Sequence, residues 1–523
     1  MRADIQAKKG NFQLADELYS EATDVIDALL TNVTTRQLAG SLIATLSEAY
    51  LGHFRLAATN LSNPMMAYEI IEQARGRSLA DALLGESETL SLADDITIEA
   101  QRSINRIQLA LLHEANRDRR QALLDELFEE EQRLSPVRRS NAATNQATTR
   151  PKPIRLQALQ ASLRSDEVLL EYVLDEPASF CLRITRTSIA VVRLPGGRRR
   201  IEQLVDDYRA AVESRQPESR LARELFSMLL QPVLEESKEK LTIVPDGKLH
   251  LLPFDALRDR EGRYALESNT VSYAPSATVL YLLRTSQVSH QTTMDFLGVG
   301  GVVYPSTPIV AARTSGDQSS QPDLFDLDAV TIQKLPGTRQ EVMSVAGVID
   351  GPKRVLLDRN ATEAAFKALP LANFRVIHLA VHGVASTQFP NRAALIFGPA
   401  AGEDGLLQVR EIQDLAFSAE LVTLSACETG YGTLLGQEGI ASLERAFLLA
   451  GAKAVIASVW TVDDTYTVAL MKRLYQHLVD GEDKGTALRE AKLDLLKQFG
   501  GQAFPVYWAG FTLVGDGSTA IFK

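Results

Sequence analysis

Residues 374–383 read "FRVIHLAVHG" and residues 421–430 read "LVTLSACETG". Each opens as an apolar run of strand length and closes on a reactive side chain followed by small or turn-forming residues: His382 before Gly383, and Cys427 before Glu428, Thr429 and Gly430. A buried cysteine usually behaves as a small hydrophobe. One of only two cysteines in 523 residues, standing at a strand edge, asks for another account. Outward from these runs lie "VLLEYVLD" (168–175), "SFCLRIT" (179–185), "SIAVVRL" (188–194), "LTIVPD" (241–246), "MDFLGVGG" (294–301), "AALIFG" (393–398) and "AKAVIASVW" (452–460). Helix-like or turn-like sequence separates most of them, with amphipathic helices expected over 201–214 and 219–237. Short apolar strands alternating with helices predict an α/β fold whose mostly parallel sheet is covered on both faces. Cys181, in the middle of its run, is expected in the core.

In such sheets reactive groups collect at the carboxyl edge of the strands. Parallel neighbours lie about 4.8 Å apart, so His382 and Cys427, if borne on adjacent strands, come within reach of each other. A thiol is mostly protonated at neutral pH, and an imidazole beside it favours the nucleophilic thiolate. The imidazole then has a proton for a leaving amine. A glycine directly after the histidine suits an oxyanion hole, which needs an unobstructed backbone N–H.

Bulk properties exclude several classes. A net charge of −11 argues against a nucleic-acid-binding surface, with "GGRRR" (196–200) and "PVRRS" (136–140) read as solvated loop edges. Two cysteines support neither a disulfide framework nor a cysteine-rich zinc site. No apolar run has the length of a membrane span and the first residues do not resemble a signal peptide, so a cytoplasmic protein is expected, with its thiols reduced.

Residues 1–85 read as incomplete helical repeats. "GNFQLADELYSEA" (10–22) sets Gly10, Phe12, Ala15, Tyr19 and Ala22 at the spacing of the second half of a tetratricopeptide repeat, and Ala67, Ile71 and Ala74 follow as a second partial copy. The irregular spacing reads as a shortened array. Residues 86–134 carry a heptad-like charged pattern expected to form a helical hairpin. Residues 135–155, rich in Pro, Ser, Thr and Asn, read as a linker, and 156–523 as the α/β domain.

"HLAVHG" (378–383) and "LSACETG" (424–430), with "IVPDGKLHLLPFDAL" (243–257) upstream and "LPGTRQEV" (335–342) between, resemble the CHAT domain, a caspase-like cysteine peptidase module often preceded by tetratricopeptide repeats. The resemblance implies a caspase-like fold over about 156–522, His382 as general acid/base, Cys427 as nucleophile, and the Gly383 and Cys427 amides as oxyanion hole. It implies no cofactor. A protein substrate, together with an activating protein partner, would dock through the N-terminal helices.

Other candidates have plainer readings. Asp463 and Asp464, in "ASVWTVDDTYT" (457–467), either cap the helix that follows or line a specificity pocket favouring a basic residue. His378 and His382 are spaced i, i+4, but the segment is strand-like and Leu379 stands where a zinc peptidase has glutamate, so no metal is expected. His250 is read as structural, within a strand and turn over 245–254. As orienters of His382, Glu428, Asp404 and Asn391 stand equal. The leading expectation is a cysteine endopeptidase working through a thioester acyl-enzyme. The alternative is a catalytically silent scaffold that assembles signalling partners.

Overall fold

The computed structural model describes residues 2–31, 47–85, 153–234, 239–286, 292–304, 335–384, 393–400, 402–425, 433–434, 440–441, 443–500 and 503–522, with short pieces between 103 and 130. Strands are numbered in chain order. Eleven form the main sheet, in the spatial order β3 (Ile189–Arg193), β2 (Phe180–Ile184), β1 (Glu167–Val173), β4 (Lys240–Val244), β5 (Thr270–Tyr273), β16 (Phe511–Gly515), β15 (Ala454–Ser458), β12 (Leu421–Leu424), β8 (Phe374–Leu379), β6 (Met294–Gly300) and β7 (Lys353–Leu357). Seven of its ten pairings are parallel; only β1–β2, β2–β3 and β15–β16 are antiparallel. This is the α/β class expected from the alternation of runs.

Period-2 burial explains why the strands read as continuously apolar. In β1, Val168, Leu170 and Tyr172 enter one core layer while Leu169 and Val173 enter another. In β15, Ala454 and Ile456 face the first layer, and Val455 and Ala457 face the opposite side. Helices Arg198–Glu213, Ser219–Leu229, Asp464–Val479 and Lys484–Phe499 supply the first layer. Helices Ala277–Thr285 and Leu443–Leu449 lie across the other face. The central strands are buried on both faces, as a parallel sheet requires, while the edge strands β3 and β7 are partly exposed.

Several local expectations are corrected. "FRVIHLAVHG" is not one strand: β8 stops at Leu379, and His382 opens β9 (His382–Val384) in a separate antiparallel sheet with β10 (Ala394–Ile396) and β11 (Leu406–Gln408). "AALIFG" therefore belongs to that small sheet. The strand and turn expected over 245–254 consists of 3-10 turns, Gly247–Leu251 and Phe254–Ala256: β4 ends at Val244, and Gly247, three residues on, takes a left-handed φ of 54° that turns the chain. The helix expected over 219–237 ends at Leu229. The short β13 (Thr433–Leu434) and β14 (Ile440–Ala441) pair with each other. Most of the expected hairpin and linker lies outside the described residues.

Tyr19 stacks on His53 at 5.5 Å, and Gly52 makes room for it, since a Cβ there would lie 2.7 Å from the Tyr19 hydroxyl. Helix Pro64–Ala74, however, packs onto the α/β body. Ala67, Ile71 and Ala74 share a core layer with Leu156, Leu169 and Ala277. Charges secure the contact: Arg55 meets Asp175 through two hydrogen bonds, and Arg75 pairs with Glu171 at 3.1 Å. The buried Glu72 carboxylate accepts the Ala277 and Thr278 amides at 3.0 and 2.7 Å and the Thr278 hydroxyl at 2.5 Å. It thus serves as an N-terminal anion for helix Ala277–Thr285, while Ser276 takes the next amide.

Glu72→Ala strands those buried donors. Hydrogen bonds to charged groups contribute about 1.5–3 kcal/mol each and are not additive. The expected loss is about 2–4 kcal/mol in a urea titration with an unchanged m-value. A loss below ~0.5 kcal/mol would mean that the helix end finds other partners.

Candidate active site

The site is organised by β8 and β12, which lie side by side and parallel, with Thr423 opposite His378 and Leu424 opposite Leu379. The ladder continues one rung further, where the Ser425 amide donates to the Leu379 carbonyl at 2.9 Å. Past Leu379 the Ala380 amide turns to the Val299 carbonyl of β6, and the chain leaves the main sheet. His382 is half-buried at the head of β9. Its amide donates to the Tyr304 hydroxyl at 3.1 Å, and its ring lies 5.1 Å from the Tyr304 ring. Gly383 follows, opposite Leu395. Cys427, the residue expected to be the nucleophile, lies outside the described residues, as do Glu428 and Asn391.

Asp463 and Asp464 separate cleanly. The Asp463 side chain accepts the Thr465 amide at 2.9 Å and caps helix Asp464–Val479. Asp464 is half-buried and accepts a hydrogen bond from the Gly337 amide at the start of helix Pro336–Val348. Glycine at 337 permits that approach, since a Cβ there would meet Asp464 side-chain atoms at 3.1–3.4 Å. Burial raises the Asp464 carboxyl above its ordinary value, Glu341 and Asp463 add to the rise, and the Gly337 amide and His382 oppose it. Asp464 therefore shares the electrostatic neighbourhood of His382.

Beneath the edge lies a polar chain that the sequence reading missed. His378 is fully buried; its Nε2 is 3.0 Å from a Glu341 carboxylate oxygen and its Nδ1 is 3.2 Å from the Tyr475 hydroxyl. That hydroxyl is 3.0 Å from Thr423 Oγ1. Both imidazole nitrogens are thus engaged with side chains of neighbouring helices, which fits a packed histidine and leaves no i, i+4 metal pair with His382. His250 sits in the 3-10 turn after β4, where burial pushes it down to about 4.

Among the described residues one carboxylate group, Glu363, Glu403 and Glu411, has the closeness of a metal site. The Lys367 ammonium already occupies it, 2.6 Å from Glu363 and 2.9 Å from each of the other two. Burial raises Glu363 to about 8, and it raises Asp404, beside the same cluster, to about 7. Asp404 belongs to this cluster, its carboxylate accepting the Leu406 amide at 2.8 Å.

The family model of the CHAT domain matches residues 219–516, more than half of the chain. The chain belongs to the CHAT-domain family. It is also 33% identical over 111 residues to tetratricopeptide repeat protein 28 of Mus musculus and 31% identical over 111 residues to that of Homo sapiens. These matches cover 21% of this chain and 4% of either relative. Among solved structures, the Saccharomyces cerevisiae separase–securin complex aligns over 95% of this chain and 37% of that one, at 9% identity and a TM-score of 0.44. A complex of Porphyromonas gingivalis RgpB pro- and mature domains aligns over 62% of this chain and 77% of that one, at 11% identity and a TM-score of 0.32. Scores at this level carry no argument about the CHAT chain.

The raised carboxyls of this CHAT chain set a pH dependence. The folded state keeps protons on Glu363 and Asp404 that the unfolded chain releases near 4.5 and 3.8, so the folded state binds more protons between those values and about 8 and 7. Stability contributed by these groups is expected to fall as pH rises through that window. Glu363→Gln should flatten the decline in urea midpoints between pH 5 and 8; an unchanged slope would remove Glu363 as its source.

Proposed function

We propose that this CHAT chain is a cysteine endopeptidase of caspase-like type, with Cys427 as nucleophile and His382 as its acid and base. The Cys427 thiolate adds to a peptide carbonyl. The His382 imidazolium then protonates the departing amine as the C–N bond breaks, leaving a thioester. Water, giving its proton back to His382, adds to the thioester and releases the acid and the thiol. The carrying observation is the register of β8 and β12. Leu379 and Leu424 are opposite each other on parallel neighbours, and His382 and Cys427 are each the third residue beyond that rung. Three residues reach at most about 10 Å, which supports the reading that both reactive groups belong to one edge.

The Gly383 amide is the proposed oxyanion donor, with that of Cys427. Support comes from ladder alternation: the His382 N–H and the Ile396 carbonyl are both turned to the hydroxyl between them, so the next N–H on β9 points away from β10. Asp464 is the better candidate of the two aspartates for a pocket selecting a basic side chain, because Asp463 is committed to its helix cap. The exposed apolar residues Ile5, Leu14 and Val25 on helices Arg2–Lys8 and Phe12–Thr31 offer a place for a protein substrate or activating partner. No described helix is long and apolar enough to cross a membrane. A cytoplasmic setting, which keeps Cys427 reduced, completes the reading.

A peptide-library digest of the wild type beside Cys427→Ala tests it. Cleavage lost in Cys427→Ala is expected, with arginine or lysine before the cut. Asp464→Asn should lower cleavage after basic residues by at least about tenfold. Asp463→Asn should act mainly on stability, by about 1 kcal/mol or less. Identical products from wild type and Cys427→Ala would favour the silent scaffold. An apolar preference would remove Asp464 from the pocket.

A further inference from the structure

We propose that Tyr304 is a positioning residue for His382, an inference that rests on the dyad reading above. Tyr304 is buried and stands four residues past the end of β6, so it belongs to the main sheet's edge, whereas His382 belongs to the small sheet. Its hydroxyl accepts the His382 amide at 3.1 Å and donates to the Ile396 carbonyl at 3.3 Å. His382 and Ile396 are partners in the β9–β10 ladder. The tyrosine hydroxyl thus stands between the two backbone groups of the rung that carries the imidazole.

The same ring packs against the imidazole at 5.1 Å between centroids, tilted by 54°. Backbone and side chain of His382 are therefore both referenced to one residue. β9 is three residues long and lies at the edge of its sheet, a setting in which few rungs hold the strand. Tyr304 is itself fixed from below. The Gly301 amide donates to the Thr338 hydroxyl at 3.0 Å, which ties the turn after β6 to helix Pro336–Val348, the helix whose Gly337 amide meets Asp464. His382 is a strand head supported from a second sheet, and the strut is a phenol. Without the hydroxyl the rung loses this bridge, the imidazole spends less time facing the thiol, and the thiolate loses its partner.

The test is the alkylation rate of the full chain by iodoacetamide as a function of pH, with Cys427 read by peptide mass spectrometry; Cys181, fully buried, serves as internal control. In the wild type the reactive limb is expected well below the ordinary thiol value of ~8.5. Tyr304→Phe should move it upward by about one pH unit, a roughly tenfold slower reaction at pH 6.5. In a His382→Ala background the same substitution should change nothing further. A Tyr304→Phe profile superimposed on the wild type, or an equal effect in both backgrounds, overturns the proposal. A wild type that alkylates as an ordinary thiol, unmoved by His382→Ala, sinks the dyad and Tyr304's role with it. Hydrogen exchange on the unmodified chain adds an arm independent of how the variant folds. The His382 amide should be protected, and exchange as fast as in an open loop overturns the proposal.

Discussion

The parallel pairing of β8 with β12 is the constraint on which the candidate site depends. A slip of one residue in either strand would turn every side chain to the other face. Apolar burial alone resists this weakly here, because both faces are apolar. The buried polar chain supplies the missing discrimination. Glu341, His378, Tyr475 and Thr423 satisfy one another only when His378 and Thr423 face helices Pro336–Val348 and Asp464–Val479 together. In a β8 slipped by one residue Ile377 would face Glu341, and the imidazole would enter the apolar layer of Val299, Val422 and Leu424. Leaving such groups unpaired costs several kcal/mol in sum. The network therefore works as a register key, and counted along the sequence His382 and Cys427 each follow the Leu379–Leu424 rung by three residues.

The site straddles two sheets. β12 remains in the main sheet as far as its description reaches, while the histidine strand departs after Leu379 and pairs with β10. A candidate site built this way is only as well defined as the connection between the sheets. That connection includes the Tyr304 hydroxyl at one point and, at another, the backbone pairing of Gly398, just past β10, with Ala361 and Glu363, which follow β7.

Much of the fold was legible because the strands are apolar runs of the right length between helical segments. The break in "FRVIHLAVHG" was not, since Ala380 and Val381 continue the apolar pattern and carry no glycine or proline to mark a turn. What ends β8 is the lack of a further rung, a property of the partner strands. Equally hidden were Glu341 and Tyr304. A glutamate in "LPGTRQEV" reads as solvent-facing, and a tyrosine after "GVGGVV" reads as loop; only the assembled sheet turns one into a buried partner and the other into a strut. His382 and Cys427 stand out as candidates because thiol and imidazole are rare here, whereas the alternative roles of Asp463 and Asp464 could be separated only by seeing which carboxylate spends itself on the Thr465 amide.

The N-terminal helices bear on the site through contiguous packing. Helix Ala277–Thr285 contributes Ala277 and Leu280 to the layer shared with Ala67 and Ile71, and Val279 and Leu283 to the layer that holds Leu379 and Leu424. Contiguity alone does not make a signal path, which needs an element with two arrangements. The described contacts argue for rigidity: moving helix Pro64–Ala74 against helix Ala277–Thr285 would draw the buried Glu72 carboxylate off the Ala277 and Thr278 amides, and Arg75 off Glu171. Buried charges separated from their partners are far more costly than apolar surfaces that slide. Helix Pro64–Ala74 is thus built as a fixed mount on the α/β body rather than as a hinge.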